Sequence, residues 1–269
     1  GWACAPRAAM FLSCNLYFGY YAMDGSSHLY ALLFLVLFWH FIRGAGPRSA
    51  ALAGLCAALA CLSRADYAFP VLLIAALPPA LRPDAAGLKR AGLALGLALA
   101  LAAPYACWQR SAYGGFFYAQ ELGLRRFANA ELLRADPQAV TVPGPMGAGA
   151  FLARGGLSGA LSGAFSGLGG SLAYGLPRAV HYGFLFVLAS LGLYAAFALN
   201  RMELASFAAA SLLPVLPLAA ASPPGGLEAR YYLAAAWAVC ALAAFGGSEA
   251  VTWVEKKAAE MAGKKDDKK

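Results

Sequence analysis

Charge is what this chain has least of. Only 13% of its 269 residues are Asp, Glu, Lys or Arg, against roughly 25% in a soluble domain. Such a shortage excludes an ordinary water-exposed surface. Histidine is nearly absent, with three residues. The cysteines Cys4, Cys14, Cys56, Cys61, Cys107 and Cys240 lie in or beside apolar segments, with no metal-ligand spacing and no disulfide framework. They read as small apolar packers. HExxH, P-loop, GxSxG and Rossmann fingerprints are missing, which disfavours the enzyme classes built on them. Charge placement disfavours a nucleic-acid partner: much of the net +8 sits in Lys256-Lys257 and the 264–269 tail, not on an aromatic-interleaved face.

Apolar sequence is what the chain has in abundance, at 61% of residues with a mean hydropathy of +0.61. It falls in blocks near the roughly 17–25 residues a helix needs to cross a bilayer. We therefore expect an all-α, polytopic integral membrane protein with about eight transmembrane helices. The expected helices are 8–22, 27–42, 49–62, 67–81, 88–108, 178–199, 204–221 and 231–245. Pro104 is expected to kink or end the fifth, and Pro214 and Pro217 to bend the seventh. Residues 1–250 then form one transmembrane domain and 251–269 a charged cytoplasmic tail. The chain opens Gly1-Trp2-Ala3 almost inside an apolar block, so we expect an N-terminally truncated piece.

Between the fifth and sixth blocks lies a long connection, 109–178, expected to be an extracytoplasmic loop carrying interfacial helices. Phe116, Phe117, Leu122, Leu124, Phe127 and Leu132 interleave with Glu121, Arg125, Arg126, Glu131 and Arg134, the pattern of a helix lying in the interface. Further on, Gly155, Gly159, Gly163 and Gly167 recur every four residues, and Ser158, Ser162 and Ser166 follow the same period. This is small-xxx-small packing on a helix or a flexible Gly/Ser linker. The stripe of Leu157, Leu161 and Phe165 favours the helix, and we expect 155–172 not to cross the membrane.

A polar break, Asp24-Gly25-Ser26-Ser27-His28, interrupts the apolar sequence near the start. Asp24 either caps the helix that follows or adds a functional carboxylate at the mouth of a membrane helix. His28 follows one helical turn later and could share its face; a His–Asp pair could hold a metal or move protons. Positive charge sets the orientation. With the lysine tail in the cytoplasm, Arg43, Arg48, Arg82, Lys89, Arg90 and Arg201 lie inside. Asp24, Arg64, the long loop and Arg230 then share the outer face. Arginine forks suit phosphate, which points to a lipid-linked phosphate substrate. The plainer reading of Arg64 and Arg230 is snorkelling, or local pairing with Asp66 and Glu228. Tyr231 and Tyr232 line a pocket or belong to an aromatic belt.

Taken in order, four stretches resemble the GT-C polytopic glycosyltransferases, in particular the branch of protein O-mannosyltransferases and lipid A aminoarabinose transferases. They are Tyr21-Ala22-Met23-Asp24 before an apolar helix; the helix from Gly54-Leu55 to Leu62-Ser63-Arg64; Ala103-Pro104-Tyr105-Ala106-Cys107-Trp108 with Tyr113-Gly114 and Phe127; and Glu228-Ala229-Arg230-Tyr231-Tyr232. The series covers roughly 8–245. The resemblance implies a polyprenyl-phosphate-sugar donor and inverting transfer to an acceptor on the outer face of the plasma or inner membrane. Members of the family often carry a divalent cation, for which Asp24 is a candidate ligand. By the same resemblance Asp24 is a supporting active-site carboxylate and Arg64 and Arg230 are candidate contacts to the donor phosphate; His28 and Tyr231 are candidate pocket residues by their position beside Asp24 and Arg230. The family's principal acidic residue lies in a first outer loop that nothing here matches, and we expect it upstream of Gly1. The competing reading is a transporter or flippase-like protein, which broken, proline-bent helices also fit. A non-catalytic scaffold has no positive sign in the sequence.

Overall fold

The computed structural model describes residues 5–81, 85–153, 156–212 and 229–266. The described residues are almost all helical, and no strand occurs among them. It begins with two short helices, α1 (Ala5–Ser13) and α2 (Leu16–Met23). The expected first helix is thus broken, because Asn15 leaves the helical conformation and its side chain caps α2, accepting from Phe18 N–H at 2.9 Å. α3 (Ser27–Ile42) leaves α2 at 110°. The bend has an identifiable chemistry. Ser26 N–H donates to the Tyr21 carbonyl and Gly25 N–H to that of Ala22, a Schellman stop with Gly25 at φ +64°. Ser26 then caps α3 by accepting from His28 N–H.

The next helices run largely as the blocks predict. They are α4 (Pro47–Ser63), α5 (Ala68–Leu81) after a 3₁₀ turn at Ala65–Tyr67, and α6 (Ala85–Tyr113). Pro104 does not end α6. It removes one intrahelical hydrogen bond, which good helix formers on both sides tolerate. The 109–178 connection is structured rather than a loose loop. α7 (Tyr118–Ala135) and α8 (Ala148–Ala153) enclose a small core of Ala128, Met146 and Phe151. Asn129 ties it down, donating to the Val142 carbonyl at 3.1 Å and accepting from Val142 N–H at 2.8 Å. The glycine-periodic stretch is helical, as α9 (Gly156–Gly170), a π-helical turn at Ser171–Gly175, and α10 (Leu176–Val180).

The expected helix over 178–199 is interrupted. His181 takes φ +70°, and the 165–180 arm meets α11 (Phe184–Ala198) at 103°. A second Schellman stop, with Asn200 at φ +59° and Arg201 N–H on the Ala196 carbonyl, ends α11. α12 (Met202–Leu212) follows; the remainder of the seventh block, with Pro214 and Pro217, and the turn with Glu228 lie outside the described residues. A 3₁₀ turn at Ala229–Tyr232 opens α13 (Leu233–Asp266), which carries the helix well into the lysine-rich tail. By length and apolarity α6 and residues 229–257 could each cross a membrane, and the two bent pairs raise the total to four if each is one span. α13 is the central column. α1, α10, α11 and α12 pack on it, while α3, α4, α5 and α6 pack on one another. At the α11–α13 crossing Gly192 and Gly246 bring the two backbones together, leaving no room for a Cβ at either.

Asn15 joins the two bends. Its amide donates to the Ala179 carbonyl at 2.6 Å and to that of Val180 at 3.1 Å, in a site where Asn15 is 1% exposed. Those carbonyls end α10 and have no helical partner. Tyr17 accepts from Arg178 Nε at 2.7 Å beside them. Asn15→Ala removes a cap and orphans both carbonyls, at about 1–3 kcal/mol for each buried group left unsatisfied. We expect a clear fall in the unfolding midpoint of the detergent-solubilised protein; an unchanged midpoint would show that the junction contributes nothing.

Candidate functional site

Three chain breaks converge at one end of the bundle: the start of α3, the end of α4 and the turn before α13. His28 sits in the first turn of α3, 2% exposed. Its backbone carbonyl accepts from the Tyr67 phenol at 3.3 Å, and its ring packs edge-on against Tyr231 with centroids 4.9 Å apart. Arg64 is the residue at which α4 stops, in an extended conformation at φ −155°. Its guanidinium forks Asp66, Nε to Oδ1 at 2.9 Å and Nη2 to Oδ2 at 3.1 Å. The same guanidinium lies 5.3 Å from the centre of the Tyr231 ring. Arg230 reaches that ring too, at 5.6 Å. Both arginines act on His28 electrostatically.

The adjacent tyrosines of the turn do different work. Tyr232 is fully buried, shares a 2.8 Å hydrogen bond with Ser171, and fills the space left by the missing side chain at Gly175. It is therefore a lock onto the π-helical turn and no member of an aromatic belt. With Tyr232 fixed, the half-buried Tyr231 faces His28 and the arginines. In outline, the cluster is two guanidiniums around one aromatic face, next to a buried imidazole. Cationic groups so held, at the beginning of a 16-residue helix whose dipole favours negative charge, can bind an oxyanion.

Of the residues singled out by sequence, His28, Arg64, Arg230 and Tyr231 come together. Asp24 does not join them. It is exposed at the end of α2, beyond the 110° bend, and Ser26 rather than Asp24 caps α3. The helical-turn spacing of Asp24 and His28 thus fails to pair them, because no single helix holds both. Among the described residues no group of three or more His, Cys, Asp and Glu side chains clusters. For Arg64 the local pair with Asp66 is formed; the partner expected for Arg230, Glu228, lies outside the described residues. Sequence reasoning gave no role to Tyr67 or Asn15. Each had a signal: Tyr67 follows Arg64 and Asp66 directly, and Asn15 is a lone amide within an apolar block.

His40 and Arg43 lie at the far end of α3, where Arg43 covers the Trp39 ring at 4.9 Å and Arg90 Nη1 donates to the Gly44 carbonyl at 3.3 Å. Arg43 and Arg90, two of the basic residues assigned to the inner face, therefore meet at the end of α3 opposite the His28 cluster. No protein-family model, curated protein or solved structure matches the chain significantly.

Proposed function

We propose that this protein is a membrane glycosyltransferase of the GT-C type, which moves a sugar from a polyprenyl-phosphate donor to an acceptor on the extracytoplasmic face. The observation that carries the reading is the meeting of Arg64 and Arg230 on the Tyr231 ring beside His28. Departure of a lipid phosphate from a sugar builds negative charge on the leaving oxygens. Fixed guanidiniums stabilise that charge without having to reorganise. The Asp66 fork fixes the plane of Arg64 and leaves its outer edge for a ligand. In an inverting transfer the acceptor hydroxyl must also lose a proton to a carboxylate. Asp24 is assigned a supporting part in that step by the resemblance of Tyr21-Ala22-Met23-Asp24 to the family's acidic position, although it lies outside the cluster.

In this reading the short apolar helices α4 and α5 cross the membrane along with the longer ones, and the total approaches the roughly eight expected from the apolar blocks. The active face is extracytoplasmic, with the α13 tail in the cytoplasm and the chain an integral protein of the plasma or inner membrane. Arg43, Arg48, Lys89 and Arg90 on the inner side support that orientation. Asp24→Asn in the full-length protein tests the carboxylate. Because Asp24 is exposed, folding should change by no more than about 0.5 kcal/mol, while transfer from a polyprenyl-phosphate donor should fall at least about tenfold. Normal turnover in the folded variant removes Asp24 from the reaction.

One observation favours a second reading. The bent pairs at 110° and 103° are discontinuous helices of the kind that transporters place around their substrate. A flippase of phosphate-bearing lipids would use the same arginines. Leaflet-to-leaflet movement of such a lipid without sugar transfer would select it.

A further inference from the structure

The corner where α6 turns into α7 carries a row of aromatic rings that the proposed reaction does not use. Tyr105 stacks on Trp108 with centroids 5.8 Å apart, Trp108 meets Tyr113 edge-on at 5.5 Å, and Tyr113 stacks on Tyr118 at 4.5 Å. Trp108 and Tyr113 are each 51% exposed, and Phe117 beside them is 66% exposed. The backbone beneath the rings is held in place. Gly114 closes the corner at φ +83°. Gln109 is buried, and its Oε1 accepts from Ala119 N–H at 2.9 Å, which satisfies a first-turn donor of α7. Arg110 donates to the Gly114 carbonyl and lies 5.8 Å from the centre of the Phe116 ring. A fixed corner thus holds out rings with polar tips, the tyrosine hydroxyl and the indole N–H, which suit a boundary between water and hydrocarbon.

What covers these rings follows from the other end of α6. There Arg90 Nη1 donates to the Gly44 carbonyl, which ties the start of α6 to the end of α3 remote from His28. Trp108 follows Arg90 by 18 residues, about 27 Å of helix and close to the roughly 30 Å of a bilayer's hydrocarbon core. Between the two the helix is apolar and little buried by protein. Lys89 and Arg90 at one end and tyrosine and tryptophan at the other are the flanks expected of a lipid-facing span. α4 gives the same depth independently. A Cβ on Gly54 would meet Ala94 and Leu97, so α4 and α6 are level at that point. Arg64 lies 10 residues beyond Gly54 and Trp108 lies 11 beyond Leu97, about 15 Å of helix in each case.

We propose that the α6–α7 corner is a docking surface for the phospholipid bilayer, with Tyr105, Trp108, Tyr113 and Phe117 seated where acyl chains meet headgroups in the leaflet nearest Arg64. Stacking of the rings on one another and the Gln109 cap hold them at one depth, so the corner sets how far α6 sinks into the membrane. Arg64 then lies at headgroup depth, whatever ligand it takes. This assignment does not rest on the transferase reading.

The test is fluorescence quenching of the full-length protein in nanodiscs of phosphatidylcholine, brominated either near the glycerol end of the acyl chains or near their methyl end. The share of the signal due to Trp108 is the difference between the wild type and Trp108→Phe, with Trp108→Tyr in its place if the Phe variant folds poorly. Shallow bromines should quench that share at least about twofold more than deep ones. Aqueous iodide should quench it far less than it quenches free tryptophan. Stronger quenching by deep bromines would overturn the assigned depth. Ready quenching by iodide and none by bromines would put the corner in water. Protection from every quencher would show that protein, such as a second copy of the chain, covers the rings. Either of these last results would overturn the bilayer as the partner.

Discussion

Replacing Gly192 with leucine should unfold the α11–α13 contact and with it most of the protein. At that crossing a Cβ on Gly192 would strike the backbone of Leu242, and one on Gly246 would strike the backbone of Leu188 and Gly192. Backbone atoms cannot swing aside as a side-chain tip can, so relief requires the two helices to separate. Overpacking a well-packed site costs about 1–3 kcal/mol, and more when the obstacle is rigid. Separation would also forfeit the close contact that drives association of helices in a bilayer, where burial from water contributes little. Fractional unfolding in a mixed SDS and mild-detergent titration should show the Gly192→Leu midpoint well below that of the wild type. Gly192→Ala should fall between them. Gly192→Leu and Gly246→Leu combined should lose less than the two single effects added, since both disrupt one contact.

The second large effect is expected at Arg230. Arg230→Ala should weaken donor binding by about tenfold to a hundredfold, the scale of a charge-assisted hydrogen bond to phosphate. The same substitution should shift the unfolding midpoint little, because Arg230 sits in the short 3₁₀ turn rather than inside a helix, and the neighbouring Tyr232 anchors that turn independently through Ser171. Donor affinity by equilibrium binding and stability by unfolding separate the alternatives. A variant that keeps donor affinity but loses stability would make Arg230 an anchor at the membrane surface. Arg64→Ala is less discriminating, since it also strips Asp66 of its fork.

The helices were legible because apolar blocks and chain breakers mark them directly. The 27–42 block is α3 to the residue, and 49–62 lies within α4. Where the reading failed, a small polar or left-handed residue overrode an apolar run. Asn15 split the first block by trading helix continuity for hydrogen bonds to three backbone groups in α2 and α10. His181 split the sixth block by adopting positive φ, which hydropathy does not report. Helical spacing also misled at Asp24 and His28, because the Schellman stop at Gly25 rotates one away from the other. Arg64 and Arg230 were singled out by the charge-based topology, which needs only the parity of membrane crossings, and Tyr231 by its place beside Arg230. What topology cannot supply is depth within the site. The burial of His28 comes from packing against Tyr67 and Tyr231, which lie far from it in sequence, whereas the Arg64–Asp66 fork is a local pair already readable in the sequence.

In the proposed reaction the Arg64–Arg230–Tyr231 cluster receives the phosphate of a lipid-linked sugar and releases it after transfer. Its most direct measurement is the rate at which the full-length protein in proteoliposomes moves labelled sugar from a polyprenyl-phosphate donor. The wild type is compared with an Arg64→Gln/Arg230→Gln double variant of verified fold. The account predicts measurable transfer by the wild type and a loss of at least about a hundredfold in the variant, the scale of removing preorganised charge stabilisation. Transfer by the variant at the wild-type rate would contradict it.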